Sequence, residues 1–408
     1  MSLKPSNMRN HELIRLQAFW NGAANGVWLI FSIPYLLRLD ASITLISIYI
    51  GLTSLGPLLL GPIAVANVKN SRRHRKWILT CGAISRLFFF MPSVALLFDS
   101  HRAEIAAVMF CLCAMPTIVF SALWAPVLGV VVKSEHQPAI INSRIRIANI
   151  GGLASNGLIG LCMIFLPFPF NYVSVFFASG TLGLIEMFFI SQIVFPESRN
   201  SYFETFRENF HIRKILEERQ FKYFLFGIIL IVSAVSIATP LQSVYFINER
   251  DVSDQWIGIW AMAISIGAVF GSLYWKNLQE KIGTFAIFTW TAPIYGVYFL
   301  IIILAPNPTV ILIATLFAGW IGAGIDVGIW LGLYRYGNEA RRSMLINIYL
   351  GISLGIPFVA SFFIPTLTNL FTLTQIFVAT FVIRFLAGLY FRIPSIYALL
   401  NVDAAEKR

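Results

Sequence analysis

Charge is what this chain lacks. Only 12% of its 408 residues are Asp, Glu, Lys or Arg, against the ~25% typical of soluble domains. With 58% hydrophobic residues and a mean hydropathy of +0.76, it cannot cover a water-facing surface, so its outer face must meet lipid. Cysteine is scarce as well. Cys81, Cys111, Cys113 and Cys162 all fall inside apolar runs, and Cys111 and Cys113 project from different faces of any helix. That excludes a disulfide framework and a thiolate metal site, and leaves small packing residues. The five histidines, His11, His74, His101, His136 and His211, lie in polar segments, so no intramembrane haem or zinc cluster is expected. No nucleotide-binding loop and no nucleophile–base set are present, so neither catalysis, a metal nor a cofactor is expected. A cleavable signal peptide is not expected either: Met1 to Arg15 is polar and basic, and the first apolar run is too long for one.

Long apolar runs are abundant. A spanning helix needs roughly 20 apolar residues. Twelve such runs occur, at 13–38, 42–67, 77–98, 105–132, 144–166, 172–195, 223–247, 254–276, 284–305, 308–333, 343–365 and 371–393. Prolines within them, Pro57, Pro116, Pro126, Pro240, Pro293 and Pro357 among others, are tolerated as kinks in membrane helices. The longest polar segment lies between runs six and seven. It divides the chain into a first bundle (1–195), a central loop (196–222) and a second bundle (223–408). Phe203, Phe206 and Phe210 recur at helical spacing in that loop, which reads as an interfacial helix or as a solvated linker.

The few positive charges are unevenly placed. Of 30 Lys and Arg, 25 fall on the side of the N-terminus, the opposite loops hold Arg38, Arg102 and Arg250, and Arg86 and Arg384 lie within spans. This asymmetry puts both termini in the cytoplasm. It also accounts for most of the net charge of +11 without nucleic acid, since the basic residues are spread over seven short pieces and no groove-reading module accompanies them.

Two loops carry a recognisable pattern. After the eighth run stands Gly271-Ser-Leu-Tyr-Trp-Lys-Asn-Leu-Gln-Glu280-Lys281-Ile-Gly283. After the second, Gly61 is followed nine residues later by Asn70-Ser-Arg-Arg-His-Arg75-Lys76. With twelve spans in two sixes, these segments resemble the major facilitator superfamily, whose loop signature runs glycine, acid, base, glycine and two bases. The second half looks like that signature in its second-half form, with Glu280, Lys281 and Gly283 at the acid, base and glycine positions. In the first half Asn70 replaces the acid and Arg73 the glycine, leaving the terminal basic pair. The resemblance implies an all-α membrane protein of twelve transmembrane helices in two pseudo-symmetric six-helix bundles, gated through Gly61, Asn70, Arg75, Lys76, Gly271, Glu280, Lys281 and Gly283. An Asn in place of the acid still accepts a helix N–H but loses the charge–dipole attraction. The ends of runs six and twelve, "LIEMFFISQIVFPES" and "VIRFLAGLYFRIPS", superpose on their prolines and bring Glu186 onto Arg384, as internal repetition requires.

Four charges lie deep in spans, and each costs about 2.5–3.5 kcal/mol near the bilayer centre unless partnered or wetted. Arg86 and Glu186 sit at matching depths, roughly 14 Å in at ~1.5 Å per residue. Glu186 reads as one half of a structural ion pair or as a proton carrier. The pair is the favoured reading, because an adjacent guanidinium favours the charged carboxylate. Asp326, in "GWIGAGIDVGIW", lies among glycines expected to leave room around it. It reads as a coupling or substrate residue, or as a partner of Arg384.

Polar stripes complete the candidate set. Gln17, Asn21, Asn25 and Trp28 share one face of the first span. They read as substrate contacts or as glue between helices. Ser121 and Trp124, Ser236 and Gln242, and Trp330 one turn from Asp326 complete the expected solute site in spans that, by the resemblance, line a central cavity. Small residues at steps of four or its multiples, Ala148, Gly152 and Gly160, Ala263, Gly267 and Gly271, and Gly351 and Gly355, are expected where the two halves meet.

The expected function is secondary transport of a small organic, including amphipathic, solute by alternating access with protons as the candidate coupling ion. The expected protein is a monomer among lipids of the cytoplasmic (inner) membrane. The alternatives are a non-transporting membrane sensor or scaffold, and a lipid or lysolipid mover.

Overall fold

The computed structural model describes residues 5–67, 71–131, 137–194, 219–335 and 339–400, and they are almost entirely helical. Twelve long helices follow in order: α1 (Pro5–Arg38), α2 (Ile43–Asn67), α3 (Ser71–Phe88), α4 (Arg102–Val131), α5 (Gln137–Phe165), α6 (Phe170–Ser191), α7 (Arg219–Val244), α8 (Asp254–Ile282), α9 (Ala286–Leu304), α10 (Pro308–Arg335), α11 (Glu339–Leu370) and α12 (Leu373–Tyr390). A short α13 (Pro394–Leu400) follows. Ten described segments are long and apolar enough to cross a membrane. Large apolar side chains such as Leu29, Leu97, Phe165 and Leu304 point outward, two-thirds or more exposed. That suits a lipid-facing surface.

Local chemistry sets the helix ends. Ser42, Asn307 and Thr372 each accept the backbone N–H three residues on, satisfying donors that a helix N-terminus leaves bare. Gln375 returns the favour to Thr372 N–H in a capping box. Gly283 stops α8 with φ 90°, and its N–H closes on the Gln279 carbonyl. An L side chain is strained there, so the glycine of the loop pattern serves as a helix stop. The third span is broken. α3 ends at Phe88 and a 3₁₀ turn, Met91–Leu97, continues it with Pro92 in its first turn, because a residue preceding proline is pushed out of the α region.

The chain forms two compact units. One comprises α1–α6 together with Ile247–Met262; the other comprises α7, the rest of α8 and α9 onward. Both repeat one packing scheme. α1 packs on α5 and α6 as α7 packs on α11 and α12, and α3 packs on α4 and α6 as α9 packs on α10 and α12. α2 packs on α4, and α8 on α10, where the Trp275 indole N–H donates to the Trp320 carbonyl at 2.8 Å.

The small residues make these crossings possible. A Cβ added at Gly22 would lie 2.0 Å from the Ala148 carbonyl oxygen, and one at Gly151 2.1 Å from that of Phe19. In the second unit, added Cβ atoms at Gly267, Gly319 and Gly271 would meet the carbonyls of Leu316, Ile264 and Trp320 at 1.9, 2.1 and 2.3 Å. Of the stripes expected between the halves, Ala148 and Gly152 thus serve the α1–α5 crossing, and Gly267 and Gly271 the α8–α10 crossing. Small residues specify closeness, not the partner. Since lipid is as apolar as leucine, such close packing carries much of the stability. Gly151→Leu and Gly319→Leu should each cost several kcal/mol, at or beyond the upper end of the ~1–3 kcal/mol typical of overpacking. Yield and thermal melting of the purified variants would check this.

Candidate functional site

The first unit holds a closed polar network built across four helices. Glu186 on α6 is fully buried. Its Oε2 accepts from Arg86 Nε at 3.0 Å and Nη2 at 2.7 Å. Its Oε1 accepts from Gln17 Nε2 at 2.7 Å and Asn21 Nδ2 at 2.9 Å, both on α1. Arg86 Nη1 donates to Ser85 Oγ at 2.8 Å, and its guanidinium carbon lies 5.2 and 5.0 Å from the Phe89 and Phe120 ring centres. Arg144 on α5 donates to Gln17 Oε1 at 3.0 Å. Each carboxylate oxygen accepts two hydrogen bonds, as a charge deep in hydrocarbon requires. Arg144 and Ser85 had no sequence signal beyond polarity.

The remaining first-half candidates are dispersed. Asn25 donates to the Asn21 carbonyl of its own helix. Trp28 is buried in an aromatic core, stacked on Phe89 at 4.3 Å and edge-on to Phe110 and Phe176. Trp124 stacks on Phe120 within the apolar core, its indole N–H unpartnered among the described residues. Ser121 is exposed. Of the loop residues, Arg75 donates to the Ser191 carbonyl, Lys76 and Lys281 are exposed, and Gly61 lies in α2. Asn70, Phe203, Phe206 and Phe210 lie outside the described residues, as do the surroundings of the Glu280 side chain.

The second unit keeps its charges apart. Arg384 on α12 occupies the place that repetition assigns to Glu186, and it is 4% exposed. Its guanidinium carbon sits 4.6 Å from the Tyr295 ring centre on α9, while Nε and Nη1 have no hydrogen-bond partner among the described residues. Where α3 and α6 are joined by an ion pair, α9 and α12 are joined by a cation–π contact. Asp326 on α10 is within Coulombic reach of Arg384. Neither makes an ion pair among the described residues, and the Asp326 side chain is exposed.

The glycines around Asp326 do not leave it empty space. Added Cβ atoms at Gly324, Gly328 and Gly332 would strike the rings of Trp275, Phe288 and Phe224 at 2.7, 2.8 and 2.5 Å, and one at Gly322 would touch Tyr295 at 3.3 Å. They are sockets for aromatic rings of α7, α8 and α9, and those rings fix the face that α10 presents. Trp330, half-buried, lies edge-on to Tyr349 at 6.1 Å. Ser236 donates to the Val232 carbonyl of its own helix. Gln242 donates to the Tyr298 hydroxyl, which meets Thr315 Oγ1 at 3.0 Å. That chain ties α7, α9 and α10 together.

No family model and no curated protein matches the chain. Solved structures do. The nucleoside transporter NupG, in an aspartate-to-alanine variant, superposes with a TM-score of 0.69 at 12% identity over 95% of this chain and 100% of its own. A bacterial homologue of the iron transporter ferroportin in an inward-facing state gives 0.68 at 14% over 96% and 99%. A bacterial homologue of the human lysosomal transporter Spinster, inward-facing and unoccupied, gives 0.61 at 15% over 98% of each. Each is a membrane transporter, not an enzyme, and each is of the major facilitator type. The repeated six-helix scheme, the apolar exterior and these full-length superpositions show that this chain has the fold of the major facilitator superfamily of transporters.

Proposed function

We propose that this protein moves a small organic solute across the membrane by alternating access, with Asp326 as its coupling residue. The observation that carries this reading is an accessible carboxylate deep in a spanning helix, with no ion pair among the described residues. An ionised group so placed is retained where it has work to do. Trp330 one turn away and the Tyr295–Arg384 pair alongside supply an aromatic wall and a countercharge. A carboxylate so placed can bind a proton or a cationic group, and Arg384 can hold it when it is charged. The structurally similar transporters carry chemically unlike cargo, so the substrate must be found by binding.

In the first bundle, Glu186 and Arg86 act as a brace that also fastens Gln17 and Asn21, which makes α1 part of the scaffold. Membrane lipids surround a monomer whose termini face the cytoplasm, following the positive-charge asymmetry. A thermal-shift screen of diverse solutes on the purified protein, followed by uptake into sealed vesicles, tests the proposal. A solute that both stabilises the protein and enters vesicles supports it. A solute that binds and never crosses makes the protein a sensor, and stabilisation by lysolipids alone makes it a lipid mover.

A further inference from the structure

Among the described residues, packing alone holds the buried arginine of the second unit. Arg384 is 4% exposed, and its Nε and Nη1 meet no hydrogen-bond acceptor there. Buried polar groups in native structures almost always find a partner, because leaving a charged one bare is costly. Arg86 in the first unit shows the usual solution. It has aromatic rings beside it, and a carboxylate and a hydroxyl accept its N–H donors. Arg384 has the ring without the acceptors.

Its position is nonetheless fixed. A Cβ added at Gly296 on α9 would lie 2.9 Å from Arg384 Cβ, so the absent side chain lets the arginine stem sit against that helix. The guanidinium carbon then lies 4.6 Å from the Tyr295 ring centre. Tyr295 is itself set, edge-on to Tyr298 at 6.0 Å and against Gly322 of α10, where an added Cβ would touch it at 3.3 Å. Gly322 and Asp326 are one turn apart on one face of α10, so the guanidinium is brought toward the face that carries the carboxylate. Asp326 is within Coulombic reach, yet no ion pair joins the two among the described residues. The neighbouring hydroxyls are already engaged. Thr380, one turn before Arg384, donates to the Ile376 carbonyl; Thr291, one turn before Tyr295, donates to the Ile287 carbonyl; and Tyr298 meets Thr315. Attraction to a ring quadrupole compensates the charge but leaves the in-plane N–H donors without an acceptor.

We propose that Arg384 is an anion-binding site, and that the organic solute this protein carries bears an anionic group which takes the donors left open along the guanidinium edge. A carboxylate is the best match, because its two oxygens fit the planar fork and each bond is charge-assisted. The solute then supplies the acceptors that Glu186 supplies to Arg86, and Asp326 stays free as the coupling group. The proposal rests on the transport reading for passage across the membrane, and binding is tested without it.

Purified full-length protein is melted with hexanoate or benzoate, with hexanamide or benzamide, and with anionic lysophosphatidylglycerol or zwitterionic lysophosphatidylcholine, all at matched ionic strength. The acids should raise the melting temperature by about 2 °C or more near saturation, and the amides should not. A rise with lysophosphatidylglycerol alone upholds the site and assigns its anionic group to a lipid. Arg384→Lys keeps a charge without the planar fork, and should weaken binding of the anion about tenfold or more. In case that variant does not fold, the wild-type protein is treated with phenylglyoxal and its arginine adducts are read by mass spectrometry. The bound anion should slow modification of Arg384 several-fold and leave that of exposed Arg392 unchanged. Acids that bind yet never enter vesicles would uphold the anion site and remove the transport reading. No shift with any anion, equal shifts with acid and amide, undiminished binding in Arg384→Lys, or unprotected Arg384 would overturn the site.

Discussion

Glu186→Gln should lower the melting temperature by on the order of 10 °C and cut the yield of folded protein. The carboxylate accepts four hydrogen bonds, two from Arg86 and one each from Gln17 and Asn21. An amide has one oxygen, so its NH₂ must face donors on one side, and Arg86 loses its countercharge on either. Breaking a buried pair from one side costs about 3–5 kcal/mol, and a bundle of ~200 residues loses roughly 2–4 °C per kcal/mol. Adding Arg86→Leu should restore most of the loss. The leucine removes the stranded cation, and the glutamine oxygen can still accept from Gln17 and Asn21. Thermal melting of the two single variants and the double variant reads this directly. Should Glu186→Gln melt normally yet lose pH-dependent transport, Glu186 would be a proton site instead of a brace.

Asp326→Asn should leave melting almost unchanged and abolish concentrative transport while sparing exchange. The side chain is exposed and makes no ion pair among the described residues, so an amide of the same shape disturbs little packing. What it removes is the ability to gain and lose a proton. Uphill movement is then lost, whereas exchange of solute down its gradient persists. Arg384 provides the internal contrast. Its Nε and Nη1 are buried without hydrogen-bond partners among the described residues, so Arg384→Gln should alter stability as well as transport. A variant at Asp326 that still concentrates solute would remove it from the mechanism.

The sequence exposed these features unevenly, and the reason is physical. Depth is legible: at ~1.5 Å per residue, counting from the helix ends placed Arg86 and Glu186 at one level, and the two side chains meet there at 2.7 Å. Direction around a helix is legible too, since Gln17 and Asn21 share a face and both reach one carboxylate. What a face looks at is not legible. The same spacing suits a solute or a glutamate, and the small residues of α5 divide between α1 at Gly152 and α8 at Gly160. The glycines near Asp326 likewise signalled vacancy when they are sockets for rings. The bonds that Asp254 accepts from Arg38, Asn171 and Tyr172 carry no sequence signal, because an acid at a loop edge reads as solvated and its arginine is 216 positions away.

The central claim is that this protein carries a solute across the membrane by alternating access. Counterflow measures it most directly. Vesicles containing the protein are loaded with an unlabelled solute that stabilises it in the thermal screen, then diluted into a trace of the same solute carrying a radiolabel. The account predicts transient accumulation of label in vesicles bearing the wild-type protein and in those bearing Asp326→Asn, since counterflow is exchange and needs no coupled proton. Label that never exceeds the level in protein-free vesicles, for a solute that demonstrably binds, would contradict transport and leave a receptor built on a transporter's fold.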